Sequence, residues 1–231
     1  MKKINNKPRI NNCNSGQKEK ITIKLADSET EIRKFQKFSF QIYEELQWLN
    51  RNDFPDGILA DKYDAESAFI IIYSDSEIIG GMRLVKSSEM GFPHEKELGI
   101  DLLNLGEAVD ADIRKKIYKL NKNRIVETTR FVGQRTGKRI LTIDLAKGWY
   151  WYSFYNDIKA CFMAVDLKVF LLMEKLFIPL RPVGIPKYCE GSWVIPCVLI
   201  VEDMMSSLKE KNTEAWKYIM DKSNLHGDWR S

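Results

Sequence analysis

The stretch RIVETTRFVGQRTGKR, Arg124 to Arg139, decides how this chain is read. It begins as a strand, with Ile125, Thr129 and Phe131 among β-favouring residues, and breaks at Gly133 into a basic turn ending in Gly137-Lys138-Arg139. The residues that follow, Ile140 to Phe154, read as a helix. A strand, a Gly-containing basic turn and a helix N-terminus together present outward-pointing backbone N–H groups, which suit an anion. Inside the strand, Glu127 and Arg130 lie three apart, a spacing that puts them on opposite faces unless a bulge re-aims one. Charges in a strand that otherwise reads as buried are costly unless paired. They form either a structural ion pair with neighbouring strands or the working residues of an active-site strand.

Outward from that stretch, the chain has 231 residues, 44% of them hydrophobic, enough for one sizeable core. The reading is a disordered basic segment over 1–20 followed by a single domain over 21–231. The 36 basic residues are offset by 32 acidic ones, so the balance does not point to nucleic acid, although an acidic protein partner remains compatible. Cys13, Cys161, Cys189 and Cys197 have no CxxC spacing, and His94 and His226 lie far from them in sequence. No metal site is expected, and reduced thiols in a cytoplasmic setting are. The N-terminus lacks an apolar segment, so neither a signal peptide nor a membrane span is read there.

In chain order, KITIKL (Lys20 to Leu25) alternates as a strand. Ser28 or Thr30 is placed to cap a helix from Glu31, whose Ile32, Phe35, Phe38, Ile42 and Leu46 form an apolar stripe leading to Trp48. RNDFPDGILADKYD (Arg51 to Asp64) is a turn-rich acidic loop. Ala68 to Tyr73 and Glu77 to Val85 flank the Asp75-Ser76 turn as a hairpin containing Gly80-Gly81 and a second buried-looking guanidinium, Arg83. Lys86 to Asn123 is less regular; Phe92-Pro93-His94-Glu95 reads as a turn, and Lys115, Lys116, Lys119, Lys122 and Arg124 form a basic cluster. After the central strand come an aromatic helix bearing Trp149, a strand over Ala160 to Val165 and a helix over Lys168 to Leu176. Strands over Arg181 to Ile185 and Trp193 to Val201 and one helix over Asp203 to Met220 complete the chain. This order implies an α+β or α/β fold, a mixed central β-sheet with helices on both faces.

Four blocks, in order, carry a resemblance: the aromatic-rich helix ending in Trp48, Asp61-Lys62-Tyr63-Asp64, Arg83-Leu84, and Glu127-Thr128-Thr129-Arg130-Phe131. They resemble the signature blocks of the acyl-homoserine-lactone synthases, and MEKLFIPLRPVGIPKYCEGSWVIP resembles that family's C-terminal portion. The sister N-acyl amino acid synthases share the pattern and fit Phe92-Pro93-His94-Glu95 better. The resemblance spans about Ile21 to Glu202 and implies a GNAT-like acyltransferase fold. The usual GNAT pyrophosphate loop, Gln/Arg-x-x-Gly-x-Gly/Ala, is here Gln134-Arg135-Thr136-Gly137-Lys138-Arg139, with Arg139 where a small residue belongs. Such bulk crowds a pyrophosphate, so acyl carrier protein (ACP), with one phosphodiester and an acidic surface, fits better than coenzyme A.

The implied activity is an N-acyltransferase that moves a fatty acyl group from acyl-ACP to the amine of an amino-acid-derived acceptor. The product would be an N-acyl amino acid, or an acyl-homoserine lactone signal if S-adenosylmethionine is the co-substrate. Attack of an amine on a thioester needs a proton acceptor. Glu127 is the candidate base, with Arg130 holding it or the acceptor's carboxylate, and backbone N–H groups of Phe131 to Gly133 as oxyanion donors. Asp61, Asp64 and Arg83 are assigned to the acceptor, and Trp48, Phe131 and Trp149 to the acyl pocket. Gln134, Arg135, Gly137, Lys138 and Arg139, with Lys119 and Lys122, are assigned to the donor's phosphate and carrier. The alternatives are a CoA-dependent GNAT N-acetyltransferase and a catalytically silent relative that binds ACP or lipid.

Overall fold

Nine strands of the described residues form one mixed sheet, and its order explains where a site can open. The computed structural model describes residues 20–134, 141–189 and 191–230. Residues 1–19, and with them most of the expected disordered lead-in, lie outside the described residues, as do Arg135, Gly137, Lys138 and Arg139 of the basic turn. The elements are β1 (Ile21–Leu25), α1 (Glu29–Glu45), β2 (Ser67–Ser74), β3 (Glu77–Lys86), α2 (Pro93–Glu97), α3 (Ala111–Tyr118), β4 (Ile125–Gly133) and α4 (Leu141–Tyr155). Then follow β5 (Ala160–Asp166), α5 (Leu167–Lys175), β6 (Arg181–Pro182), β7 (Lys187–Cys189), β8 (Ser192–Ile200), α6 (Val201–Lys211), α7 (Thr213–Met220) and β9 (Leu225–His226). The sheet runs β6-β8-β5-β4-β3-β2-β1-β9, with β7 also on β8.

Alternation along the hairpin strands sorts side chains onto two faces. Phe69 and Ile71 of β2 pack with Phe35 and Phe38 of α1, whereas Ile70 and Ile72 pack with Leu145, Trp149 and Tyr152 of α4. Close approach needs glycine on both faces. A Cβ on Gly81 would come within 2.6 Å of the Ile70 carbonyl and closer still to the Phe35 ring, and one on Gly148 within 2.7 Å of Ile70 Cγ2. The Ser28 side chain caps α1 by accepting from the Glu31 N–H at 3.4 Å. The aromatic helix α4 is apolar almost all round and buried on nearly every side, as such a helix must be.

Several expected boundaries shift. Phe92-Pro93-His94-Glu95 is no turn: Pro93 stands in the first turn of α2, where its missing N–H has no helical partner to lose. The irregular stretch before β4 contains α3, capped by Asp110, which accepts from the Asp112 and Ile113 N–H groups. The expected single C-terminal helix is two, because Asn212 ends α6 and caps α7 by accepting from Ala215 N–H at 3.2 Å. The strand read over Arg181 to Ile185 is only Arg181–Pro182, and β7 and β9 extend the sheet beyond what was expected.

Candidate active site

The centre of the sheet is where β4 parts from β5. Their parallel pairing runs from Ile125↔Ala160 to Thr128↔Met163 and ends there, while β5 continues beside β8 as far as Asp166. On its other edge β4 stays with β3, but Arg83 faces Thr129 and Gly81 faces Val132, so Arg130 and Phe131 together oppose Met82. That two-against-one count is a β-bulge. Arg130 carries it at φ 50°, a left-handed conformation costly for a non-glycine residue. The bulge reverses the alternation and turns Arg130 onto the face of Arg83, Thr129 and Glu127.

A neutral quartet forms there. Arg83 Nη1 donates to Asp61 Oδ1 at 2.6 Å and to Asp64 Oδ1, and Arg83 Nε donates to Thr129 Oγ1 at 2.8 Å. Arg130 Nη1 donates to Asp64 Oδ1 and its Nη2 to Asp61 Oδ2, both at 3.0 Å. Asp64 is fixed further by Gln36 Nε2 at 2.8 Å and by the Asp61 N–H at 3.1 Å. The two guanidinia differ in their surroundings. Burial would lower the Arg83 pKa, but hydrogen bonding and attraction from Asp61, then Asp64, raise it overall. Burial lowers that of Arg130, and repulsion from Arg83 adds to the fall. Asp61, for which burial alone would favour the neutral acid, is held below the usual carboxylate range by Arg83 and Arg130.

Beside the quartet lies a second polar unit. Glu127 is fully buried, and both its oxygens accept from the His94 backbone N–H, at 3.0 and 3.2 Å. His94 Nδ1 stands 2.8 Å from Glu127 Oε1. The short helix α2 that presents His94 is pinned by Glu95, which accepts from the Leu102 N–H at 3.2 Å and from Lys122 Nζ at 2.9 Å.

Three openings that share Phe131 as a lining residue lie at this place. A cavity of about 70 Å³ is lined by His94, Thr129, Arg130, Phe131, Trp48 and Cys189, among others. Glu127 is not in its wall. An apolar pocket of about 20 Å³ on the α4 side is lined by Met82, Phe131, Trp149, Met163, Met173 and Leu199. A wider opening of about 420 Å³ is bounded by Trp48, Phe131, Gln134, Thr142, Asp166 and Lys168, so it includes the first turn of α4. Phe131 lines all three, at the gap between β4 and β5.

Of the residues singled out in the sequence, Glu127, Arg130, Asp61, Asp64 and Arg83 converge on one face. Arg83 lies behind Arg130 and is 3% exposed, whereas Arg130 reaches the cavity wall. Trp48, Phe131 and Trp149 do not share one tunnel wall: Trp48 faces the cavity and the wide opening, Trp149 the apolar pocket. Gln134 lies at the wide opening, but Lys119 and Lys122 are not there. Lys122 opens the short helical turn that leads into β4 and Gln134 directly follows the strand, whose nine residues span roughly 30 Å at about 3.3 Å per residue. The basic cluster is also largely neutralised: Lys116 pairs with Asp203, Lys122 with Glu95 and Arg124 with Asp157.

Sequence reasoning missed His94, Cys189 and Lys168. Pro93 as a helix-start signal, and a histidine in a chain with only two, were the available clues to His94. A His94 ring nitrogen, a Glu97 carboxylate oxygen and Cys189 Sγ lie within 4.8 Å of one another. Glu97 is exposed and does not line the cavity, whereas His94 and Cys189 do. No helix of the described residues is long and apolar enough to cross a membrane.

The model of the family described as the N-acyl amino acid synthase FeeM matches residues 36–203, more than two thirds of the chain and every residue named in the two polar units. The chain belongs to that family. It is therefore an acyltransferase of the N-acyl amino acid synthase family. Solved structures agree with a FeeM-type fold. The chain superposes on BjaI, a CoA-dependent acyl-homoserine lactone synthase held with SAM and isopentyl-CoA, with a TM-score of 0.68 and 15% identity over 90% of this chain and 93% of that one. FeeM itself, from uncultured soil microbes, gives 0.61 and 12% identity over 82% and 96%, and the synthase LasI gives 0.59 and 17% over 80% and 91%. At such identities these likenesses speak to the fold alone. No curated protein sequence matches the chain.

Proposed function

We propose that this FeeM-family enzyme transfers a fatty acyl group from acyl-ACP to the amine of a free amino acid, in the cytoplasm, giving an N-acyl amino acid. The observation that carries the reading is the gap between β4 and β5, with an apolar pocket on one side and the Glu127–His94 and Arg130 groups on the other. A pantetheine arm entering at the wide opening would lay its thioester in this gap, the acyl chain running past Phe131 toward Trp149. Met82, Met163 and Met173 line the apolar pocket, and such flexible side chains re-pack to admit a chain longer than the resting volume holds. The first turn of α4, Gln134 and Lys168 border the entrance and suit a single phosphodiester. Gln134, Arg135, Gly137, Lys138 and Arg139 remain the proposed donor-binding segment; Lys119 and Lys122, at the far end of β4, would touch only a distant part of a carrier surface.

Arg130 is the guanidinium at the cavity wall, and we assign it to the acceptor's carboxylate, with Asp61, Asp64 and Arg83 holding it in place. Backbone N–H groups of β4 beyond Thr128, where its register with β5 ends, suit the thioester oxyanion. Proton removal from the amine falls to the Glu127–His94 unit. A second reading, coenzyme A as donor, is favoured by the likeness to BjaI, whose structure holds isopentyl-CoA. A third reading, with S-adenosylmethionine as the acceptor, would yield a lactone instead; the structure of BjaI holds SAM.

The test is a matrix of purified enzyme with long-chain acyl-ACP or the matching acyl-CoA, against single amino acids or S-adenosylmethionine, with products identified by mass spectrometry. N-acyl amino acid formed at least tenfold faster from acyl-ACP is the expected result. Lactone as the product, or equal rates from acyl-CoA, would overturn the acceptor or the donor assignment respectively.

A further inference from the structure

We propose that Asp166 holds the α-ammonium group of the acceptor whose carboxylate Arg130 takes, so that the cavity selects a zwitterionic amino acid. The inference rests on reading the cavity as the acyl-transfer site. Among the described residues, the cavity wall contains one guanidinium, Arg130, and one carboxylate, Asp166. They stand on opposite lips of the gap, because Arg130 belongs to β4 and Asp166 is the last residue of β5, beyond the point where the two strands part. Both are on one face of the sheet. Cys161, Met163 and Val165 of β5 pack in the cluster of α4, whereas Ala160 and Phe162 pack with Val85, on the side of Glu127. Alternation then puts Ala164 and Asp166 on the Glu127 side as well, the side onto which the bulge turns Arg130. Ala164, also in the cavity wall, is small enough to leave the approach to Asp166 open.

The Asp166 carboxylate has one task and capacity for another. Oδ1 caps α5 by accepting from the Val169 N–H at 2.8 Å, and Oδ2 has no partner among the described residues. Arg130 likewise spends one N–H from each terminal nitrogen on Asp64 and Asp61, and a guanidinium carries five. An α-amino acid bears both its charges on one carbon, so a guanidinium and a carboxylate across a small cavity grip the two groups at once. The amine so held lies at the β5 lip of the gap, beside the place proposed for the thioester. After losing its proton it still donates an N–H to Oδ2. An amine without the carboxylate, or a hydroxy acid without the ammonium, meets only half of the site and leaves a charged group of the wall unpaired.

Two measurements on the full chain test this. Asparagine caps a helix as well as aspartate does, so Asp166→Asn removes the charge and keeps α5 capped; Asp166→Ser, also a cap, gives the same comparison if the asparagine variant does not fold. Steady-state kinetics of native enzyme and variant, each checked for a native thermal transition, should show the acceptor KM raised about 10–100-fold and the donor KM within threefold of native. If Asp166 only caps α5, the acceptor KM stays within threefold and the proposal fails. It fails too if the donor KM alone moves, since the carboxylate would then serve the wide opening it also borders. The second measurement does not depend on turnover: calorimetric binding of glycine and glycolate, leucine and 2-hydroxy-4-methylpentanoate, and tyrosine and 4-hydroxyphenyllactate. Each pair differs only in ammonium against hydroxyl. The native chain should bind at least one of these amino acids about tenfold or more tightly than its hydroxy partner, and the variant should bind the two alike. A native chain with no such preference, or a variant that keeps it, overturns the assignment. A preference lost in the variant, with no amide formed from any donor, leaves Asp166 in its role and refutes the acyl-transfer reading; amide formation with the preference intact in the variant does the reverse.

Discussion

The two halves of β4 are made of similar residues and behave as different structures. From Ile125 to Thr128 the strand is laddered on both edges, to β3 and to β5. From Thr129 to Gly133 it keeps β3, bulges at Arg130 and has no register with β5. The first half buries Ile125 and Val126 and anchors Glu127 from behind; the second half turns Arg130 and Phe131 toward the openings. One strand thus supplies both a rigid support and an opened edge, and the boundary between them is the residue pair where the β5 register stops. A regular ladder satisfies every backbone group internally, so it has nothing to offer a substrate; an interrupted one does.

The largest expected effect that tests this division comes from Asp64→Ala, which removes a carboxylate shared by two buried guanidinia. Urea denaturation should record a loss of about 3–5 kcal/mol, the usual cost of breaking a buried pair from one side. In the laddered half, Ile125→Ala should cost about 2–5 kcal/mol, as buried aliphatic truncations do, while the folded enzyme turns over normally. If Ile125→Ala were instead to lower kcat tenfold at full folding, the separation of roles along β4 would fail. In the bulged half, Arg130→Gly should do the reverse. Relief of roughly 1–3 kcal/mol of backbone strain offsets the lost charged hydrogen bonds, leaving stability within about 1 kcal/mol of native. Turnover should fall, with the acceptor KM rising at least tenfold.

Thiol chemistry sharpens the contrast without changing the fold. Burial pushes the Cys161 and Cys197 thiols up to about 12. Cys161 stands opposite Val126 in the laddered half, its sulfur 2.7 Å from Thr128 Oγ1. Iodoacetamide at pH 8 should therefore leave both unmodified in the folded enzyme, because almost no thiolate is present. The smallest effect is expected far from the gap: Lys116→Ala removes a part-exposed pair with Asp203 and should cost no more than about 1 kcal/mol, with kcat unaltered.

The hairpin, the capped first helix, the buried aromatic helix and the order of strand and helix were legible because each rests on local periodicity and capping. Ser28 before Glu31, alternation in KITIKL and the all-round apolar face of α4 speak for themselves in one dimension. The converging charges were legible too, since Arg83, Glu127 and Arg130 are conspicuous in strands that otherwise read as buried. What escaped was anything that depends on a short element or a long-range contact. The five-residue α2 has too few turns to show a period, yet it places His94 against Glu127. The three-residue β7 brings Cys189 from far along the chain to the same wall. The basic cluster before β4 read as a docking face because its acidic partners, Glu95, Asp157 and Asp203, come from separate elements.

By itself, then, the sequence determined that this is a mixed sheet flanked by helices, with buried carboxylates and guanidinia on its central strands and an acyltransferase signature running through them. Only the tertiary structure decided which of those charges face one another, which stand at the cavity and which lie behind it. The reason is geometric. Periodicity assigns a residue to a face of its own element, but the bulge at Arg130 breaks that assignment, and the parting of β4 from β5 is a relation between strands that neither strand encodes alone.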